Sequence, residues 1–183
     1  MKVAVVGRGN VGGGLADLWE KAGHEVTRIG SDGGDVSDAE AVLMAVPGGA
    51  IEDAFQTVRG LEGKMVIDAT NVIGAQPPGG SPSNAEFVKS KTGGPTAKSF
   101  NINFAALYDR IADATSSPAN LWCGDDEARE IVEQLNRDAG YEPVYAGGLE
   151  NAAAQESFIG LIFGVVQGGM GPFFYRMAPP DQL

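Results

Sequence analysis

Short unbroken apolar runs alternate with amphipathic stretches along most of the chain. Val3 to Val6 are four consecutive apolar residues, the pattern of a strand covered on both faces and far too short to span a membrane. Val11, Leu15, Leu18 and Trp19 follow at helical spacing, and Gly23 closes that helix as a C-cap. A second strand is predicted over Glu25–Ile29, a doubly buried parallel strand over 41–46, a helix over 50–59 with Ile51, Phe55 and Val58 inward, and another strand over 65–69. The segment between the second and third strands is too short for a full helix. From residue 70 to 95 the chain is rich in Gly, Pro, Ser and Asn, which predicts a long functional loop carrying a short helix near 84–91. A strand over 96–100, an irregular helical segment through Ala112 and a strand over 120–123 come next. A helix to Asp138, capped by Asp125 and Asp126, then leads through Gly140 to a last strand over Glu142–Tyr145. Residues 149–177 read as one or two apolar helices broken near Gly168 and Gly169. Strand and helix alternate, so the fold class is α/β: a Rossmann-type, mostly parallel sheet over 1–148 with a small helical C-terminal part over 149–183 packed on it.

The first strand runs directly into Gly7-Arg8-Gly9-Asn10-Val11-Gly12. This is G-x-G-x-x-G in the strand-to-helix context that gives it meaning. The first glycine turns the chain off the strand, the second admits a pyrophosphate to the backbone, and the third lets helix and strand pack closely. The phosphates would rest on the free N–H groups of the helix start. Because the chain has 27 glycines, the motif alone is weak, and its flanking strand and helix carry the reading.

The formal net charge of −11 argues against nucleic acid or an anionic membrane as partner, both of which need clustered Lys and Arg. A single cysteine, Cys123, excludes an internal disulfide. The start of the chain shows no basic segment followed by an apolar one, so a cytoplasmic location is expected. The apolar stretch 158–166 is about half the ~20 residues of a membrane helix. It is read as a helix either buried in its own subunit or forming a homodimer interface.

Candidate chemistry is sparse. The single histidine, His24, lies at the end of the sheet opposite the strand C-termini, where a structural role is expected. Lys98 and Tyr108 remain as acids or bases, against the plainer readings of an exposed lysine and a packing tyrosine. No ligand spacing suggests a metal, and no base accompanies a serine nucleophile. A site without acids suits hydride transfer between two rings held face to face, where positioning does most of the catalysis. At the end of the second strand, Ser31 and the guanidinium of Arg8 favour the 2′-phosphate of NADP over NAD, while Asp32, taken to be turned outward, favours NAD.

The fingerprint, with Ala45-Val46-Pro47, Val66-Ile67-Asp68-Ala69-Thr70-Asn71, Lys98-Ser99-Phe100-Asn101 and Cys123-Gly124-Asp125-Asp126-Glu127-Ala128, resembles the F420-dependent NADP oxidoreductase family. The segment 138–152 and Glu156 agree as well, so the resemblance runs through nearly the whole chain. It implies a Rossmann protein, usually dimeric, that binds NADP and passes hydride to a small-molecule redox acceptor, coenzyme F420 or a flavin. It also implies that Val46 and Pro47 line the nicotinamide side, while Thr70, Asn71, Phe100 and Asn101 approach the second substrate. Two departures stand out: Asp32 replaces the family's usual arginine, and the helix after the second strand is nearly missing. A small imine or ketone reductase, with Lys98 or Tyr108 as acid, and a non-catalytic NADP(H) sensor remain alternatives.

Overall fold

The computed structural model describes residues 1–74 and 76–182; Ala75 of the expected long loop and Leu183 of the expected C-terminal segment lie outside them. In chain order the elements are β1 (Lys2–Val6), α1 (Asn10–Lys21), β2 (Glu25–Ile29), β3 (Gly34–Asp35), β4 (Ala41–Met44), α2 (Ile51–Thr57), β5 (Val58–Arg59) and β6 (Met65–Asp68). There follow α3 (Asn84–Thr92), β7 (Thr96–Ser99), β8 (Ala119–Gly124), α4 (Arg129–Asp138), β9 (Glu142–Tyr145) and α5 (Ala152–Val165).

Seven strands form one sheet in the order β2-β1-β4-β6-β7-β8-β9. All neighbours are parallel except β7 and β8. This is the expected α/β, Rossmann-type, mostly parallel sheet. The chain reverses its direction of travel across the sheet at β1, which opens a crevice at the C-terminal ends of β1 and β4. Alternate residues of β1 feed the two faces. Val3 and Val5 pack with Leu15, Trp19, Val132 and Leu135 of α1 and α4, while Ala4 and Val6 pack with Ile51, Phe87 and Val88 of α2 and α3.

Three local expectations are corrected. The helix foreseen over 50–59 stops at Thr57, because Val58 is extended (φ −96°, ψ 125°). Val58 and Arg59 instead pair with Gly34 and Asp35, so the segment replacing the usual second helix gains a strand partner for its backbone. The strand foreseen over 41–46 ends at Met44, which frees Val46 and Pro47 to bend across the crevice. Asp125 makes no side-chain cap to the α4 region. Its Oδ2 accepts from the Thr96 N–H (2.8 Å) and the Lys89 ammonium (2.7 Å), tying α3 and β7 together.

Helix α5 divides along its length. Ala152, Gln155, Glu156 and Ile162 are buried, whereas Leu161 (66% exposed), Phe163 (41% exposed) and Val165 (42% exposed) face outward, so the apolar stretch is only partly covered by its own subunit. The chain breaks at Gly169 (φ 104°), as the glycine pair predicts. It then returns so that Phe174 packs on the α1–α4 layer and the Tyr175 carbonyl accepts from the Ala119 N–H (2.8 Å). No described helix is long and apolar enough to cross a membrane.

Candidate active site

The glycine loop between β1 and α1 builds a cradle. Gly7 adopts φ 109°, and a Cβ there would overlap the Ala45 carbonyl; a Cβ on Gly12 would overlap the Gly7 carbonyl. Gly9 differs, because nothing lies within 4 Å of where its Cβ would be. Among the described residues no side chain caps α1 and no acid occupies its first turn. Its unpaired N–H groups and positive dipole end therefore face open space, which fits an anionic pyrophosphate.

Two adjoining hollows meet at this cradle and share Gly9, Ala45, Val46 and Pro47. The smaller, about 480 Å³, is lined by Gly7, Arg8 and Ser31 together with Asp53 and Thr57 of α2. The Arg8 guanidinium lies across Gly30, so close that a Cβ there would overlap it. It also pairs with Asp32 at 3.5 Å, both side chains being solvent-exposed. Asp32 is thus turned outward, as expected, yet engages the residue it was expected to oppose. The larger hollow, about 650 Å³, lies on the other side of Val46 and Pro47. Asn10 and Val11 form its near wall, Thr70 and Asn71 its far wall, and Ile73 and Gln76 of the long loop its rim. Glu52 is the one charged side chain among the described residues that line it.

Behind the far wall stands a polar framework that sequence reasoning missed. Lys98 is fully buried, which overturns its reading as an exposed lysine. Its ammonium donates to Asp68 Oδ2 (2.7 Å), Glu156 Oε1 (2.7 Å) and the Thr70 carbonyl (2.5 Å). Glu156 also accepts from the Asn84 N–H (3.0 Å), and Asn84 Nδ2 donates to Thr70 Oγ1 (2.8 Å). Burial raises the Glu156 carboxyl above its ordinary value, against the pull of Lys98. All three of the ammonium's protons are thereby engaged away from the hollow. The triad joins the ends of β6 and β7 to α5. An ionisable residue inside a strand of otherwise small residues, Thr96-Ala97-Lys98-Ser99, was the available signal.

Asn71 and Asn101 clasp one another: Asn71 Nδ2 donates to the Asn101 carbonyl (2.7 Å) and Asn101 Nδ2 to Asn71 Oδ1 (2.9 Å). Gln155 supports the pair by donating to Asn101 Oδ1 (2.8 Å). Asn71 thus reaches the hollow while Asn101 holds it from behind. Phe100 departs from its expected place near the acceptor. It takes a left-handed conformation (φ 62°) and is fully buried against Trp19 (5.8 Å) and Tyr141 (6.3 Å) in the α1–α4 layer. Burial of the ring there offsets the roughly 1 kcal/mol or more that such a backbone costs.

The remaining titratable candidates lie elsewhere. Tyr108 packs against Tyr141 (6.5 Å) and Gly14 on the α1 side, and burial pushes its hydroxyl far up. His24 Nε2 meets Asp138 Oδ2 at 2.7 Å, joining the α1–β2 turn to the end of α4. Cys123 is buried, its thiol raised to about 12 by desolvation.

No protein-family model matches the chain, and no curated protein matches it either. Among solved structures, a candidate F420-dependent NADP reductase from Arthrobacter sp. FB24 superposes with a TM-score of 0.79 at 22% identity, over 98% of this chain and 100% of that one. A hypothetical protein from Sinorhizobium meliloti follows at 0.68 and 24% identity, over 83% and 88% of the two chains. A reductive aminase from Aspergillus terreus, in complex with NADPH and ethyl-5-oxohexanoate, gives 0.68 at 16% identity. The chain spans 62% of that enzyme's length. At these identities the likeness is one of fold.

Proposed function

We propose that the protein is an NADP(H)-dependent oxidoreductase that passes hydride between a nicotinamide and a conjugated ring acceptor of the deazaflavin (coenzyme F420) or flavin type. The observation that carries this reading is the pair of hollows meeting at the open Gly9 cradle. Arg8 and Ser31 stand where a 2′-phosphate would bind, and a second hollow adjoins the far end. A sensor of the NADP(H) ratio needs no second hollow. The bound nucleotide supplies the hydride, and the chain supplies position. The α1 N-terminus holds the pyrophosphate, Val46 and Pro47 support the nicotinamide, and Thr70 and Asn71, fixed from behind by Lys98 and Asn101, face the acceptor.

A ketone reductase using Lys98 or Tyr108 as its acid finds no support, since neither side chain lines the hollow. An imine reductase is a second reading, favoured by a specific feature: an imine that arrives protonated needs no acid from the protein, and among the described residues that line the hollow the only acid is Glu52. The exposed apolar half of α5 suits a homodimer contact. The reading is tested by anaerobic mixing of the protein with NADPH and a panel of deazaflavin, flavin and imine acceptors. Loss of nicotinamide absorbance with at least one acceptor supports it. Tight NADPH binding without oxidation by any of them returns the chain to the sensor reading.

A further inference from the structure

Thr70, on the far wall of the acceptor hollow, is held at three points. Its N–H donates to Asp68 Oδ1 (3.0 Å), its carbonyl accepts from the Lys98 ammonium (2.5 Å), and its Oγ1 accepts from Asn84 Nδ2 (2.8 Å). The groups that hold it are fixed in turn, because Lys98 lies between Asp68 and Glu156 at 2.7 Å from each and Glu156 accepts from the Asn84 N–H. All four are buried. Three buried ionisable groups add little stability over well-packed apolar side chains, so what this framework secures is the position of Thr70. Among the described residues nothing accepts its hydroxyl proton. With Asn84 Nδ2 on one lone pair of Oγ1, that proton is turned away from Asn84, and the open side of Thr70 is the hollow. The reverse amide orientation costs more: it would strand both amide protons of a fully buried side chain that lies against Gly48, whereas the present one strands a single carbonyl oxygen, Asn84 Oδ1.

From this geometry we propose that the Thr70 hydroxyl is a preorganised donor to a ring carbonyl of the hydride acceptor, with Asn84 and the Lys98 triad as positioning residues. This rests on the oxidoreductase reading above and narrows its acceptor to rings whose hydride-accepting atom is conjugated with a carbonyl, as in the pyrimidinedione half of flavins and deazaflavins. The electron balance asks for such a donor. The C4–H bond of the dihydronicotinamide breaks and its electron pair forms the new bond to the acceptor, so the nicotinamide is oxidised and the acceptor ring reduced. The pair displaced within that ring collects on its nitrogen and carbonyl oxygens, and the resulting anion takes a proton from water. A donor already aimed at one of those oxygens stabilises the charge as it develops and needs no reorganisation. The hydroxyl keeps its proton throughout.

The experiment changes both partners of this hydrogen bond. Anaerobic single-turnover oxidation of NADPH is followed with riboflavin or 5-deazariboflavin, whichever the wild type reduces faster, and with the 2-thio and 4-thio analogues of that ring, whose sulfur is a weak hydrogen-bond acceptor. Thr70→Val removes the hydroxyl at nearly constant volume and is expected to slow reduction of the oxygen ring about tenfold, as loss of one hydrogen bond to a charged group does. One of the two thio rings is expected to be slowed by less than about twofold, which identifies the carbonyl that Thr70 meets. Thr70→Ser is expected to recover most of the rate, and Asn84→Ala, which frees the hydroxyl proton to turn, to lose about threefold. Circular dichroism and NADPH affinity are read on every variant and are expected to match wild type, with Thr70→Ala taking the place of Thr70→Val if the latter does not fold. An undiminished rate without the hydroxyl, an equal loss with all three rings, a Thr70→Ser as slow as Thr70→Val, a faster Asn84→Ala or a matching loss of NADPH affinity overturns the inference, while oxidation of NADPH by the wild type leaves the oxidoreductase reading intact. A wild type that binds NADPH and reduces none of these rings overturns that reading, and the inference with it.

Discussion

Replacing Arg8 by alanine removes the guanidinium that lies across Gly30 at the end of β2. A hydrogen bond between charged groups contributes about 1.5–3 kcal/mol. To reach a 2′-phosphate, Arg8 must leave Asp32, and an exposed pair such as this one, at 3.5 Å, is worth at most about 1 kcal/mol. The net stake is therefore about 1–2 kcal/mol, so Arg8→Ala is expected to weaken NADPH about five- to thirtyfold and leave NADH nearly unchanged. Asp32→Asn removes the competitor for the same guanidinium and a charge facing the phosphate. It is expected to strengthen NADPH by up to about fivefold while removing the carboxylate that would accept from the NADH 2′-hydroxyl. The NADPH-to-NADH affinity ratio thus moves in opposite directions in the two variants. Titration calorimetry with both nucleotides, at low and high salt, reads this directly. Equal losses of NADPH and NADH in Arg8→Ala, or weaker NADPH binding in Asp32→Asn, would refute the placement of the 2′-phosphate.

Gly9→Val is expected to leave the fold intact, since the space ahead of Gly9 is open and its φ of −74° suits any residue, yet to abolish dinucleotide binding. A folded variant, by circular dichroism, that still binds NADPH would reduce the fingerprint to a turn. Lys98→Met leaves Asp68 and Glu156 buried without their cation and is expected to cost about 3–5 kcal/mol in urea unfolding. Glu156→Gln keeps an acceptor for Lys98 and Asn84 and leaves a neutral Lys98–Asp68 pair, so it is expected to lie within about 1 kcal/mol of wild type. Burial holds the folded Glu156 carboxyl above 4.5, so the folded chain binds its proton more tightly than the unfolded one. The wild type's standing against Glu156→Gln is therefore best at low pH and declines as pH rises from about 4.5 through the raised folded value. A wild type that instead gained stability relative to Glu156→Gln as pH rose would remove desolvation as the cause. Light scattering is expected to give twice the 18.9 kDa chain mass, with Leu161→Glu shifting the protein toward monomer, whereas a monomeric wild type would leave the apolar half of α5 to another occupant.

Most of the fold, and the glycine loop that forms one half of the candidate site, were legible along the chain because their signals are local. The apolar run of β1, the glycines at 7, 9 and 12 and the helical spacing of Leu15 and Trp19 lie within a few turns of one another. Backbone sterics and burial act over that range whatever the rest of the molecule does. Arg8 and Ser31 could be paired in advance because β1 and β2 are adjacent in any βαβ unit. Other features depend on partners far apart in sequence. Lys98 meets Asp68 across 30 residues and Glu156 across 58, and only that meeting turns an apparently exposed lysine into a buried brace for Thr70. Phe100 stands on the same strand end as its neighbours, but its left-handed backbone and the space between Trp19 and Tyr141 send the ring into the core rather than toward the acceptor. Val58 and Arg59 carry a helical pattern, yet the unpaired backbone at Gly34 and Asp35 draws them into a strand. Propensity and periodicity set the elements, whereas the partners of buried charges, the direction of a ring and the pairing of short edges are decided only when distant segments compete for the same space and the same hydrogen bonds.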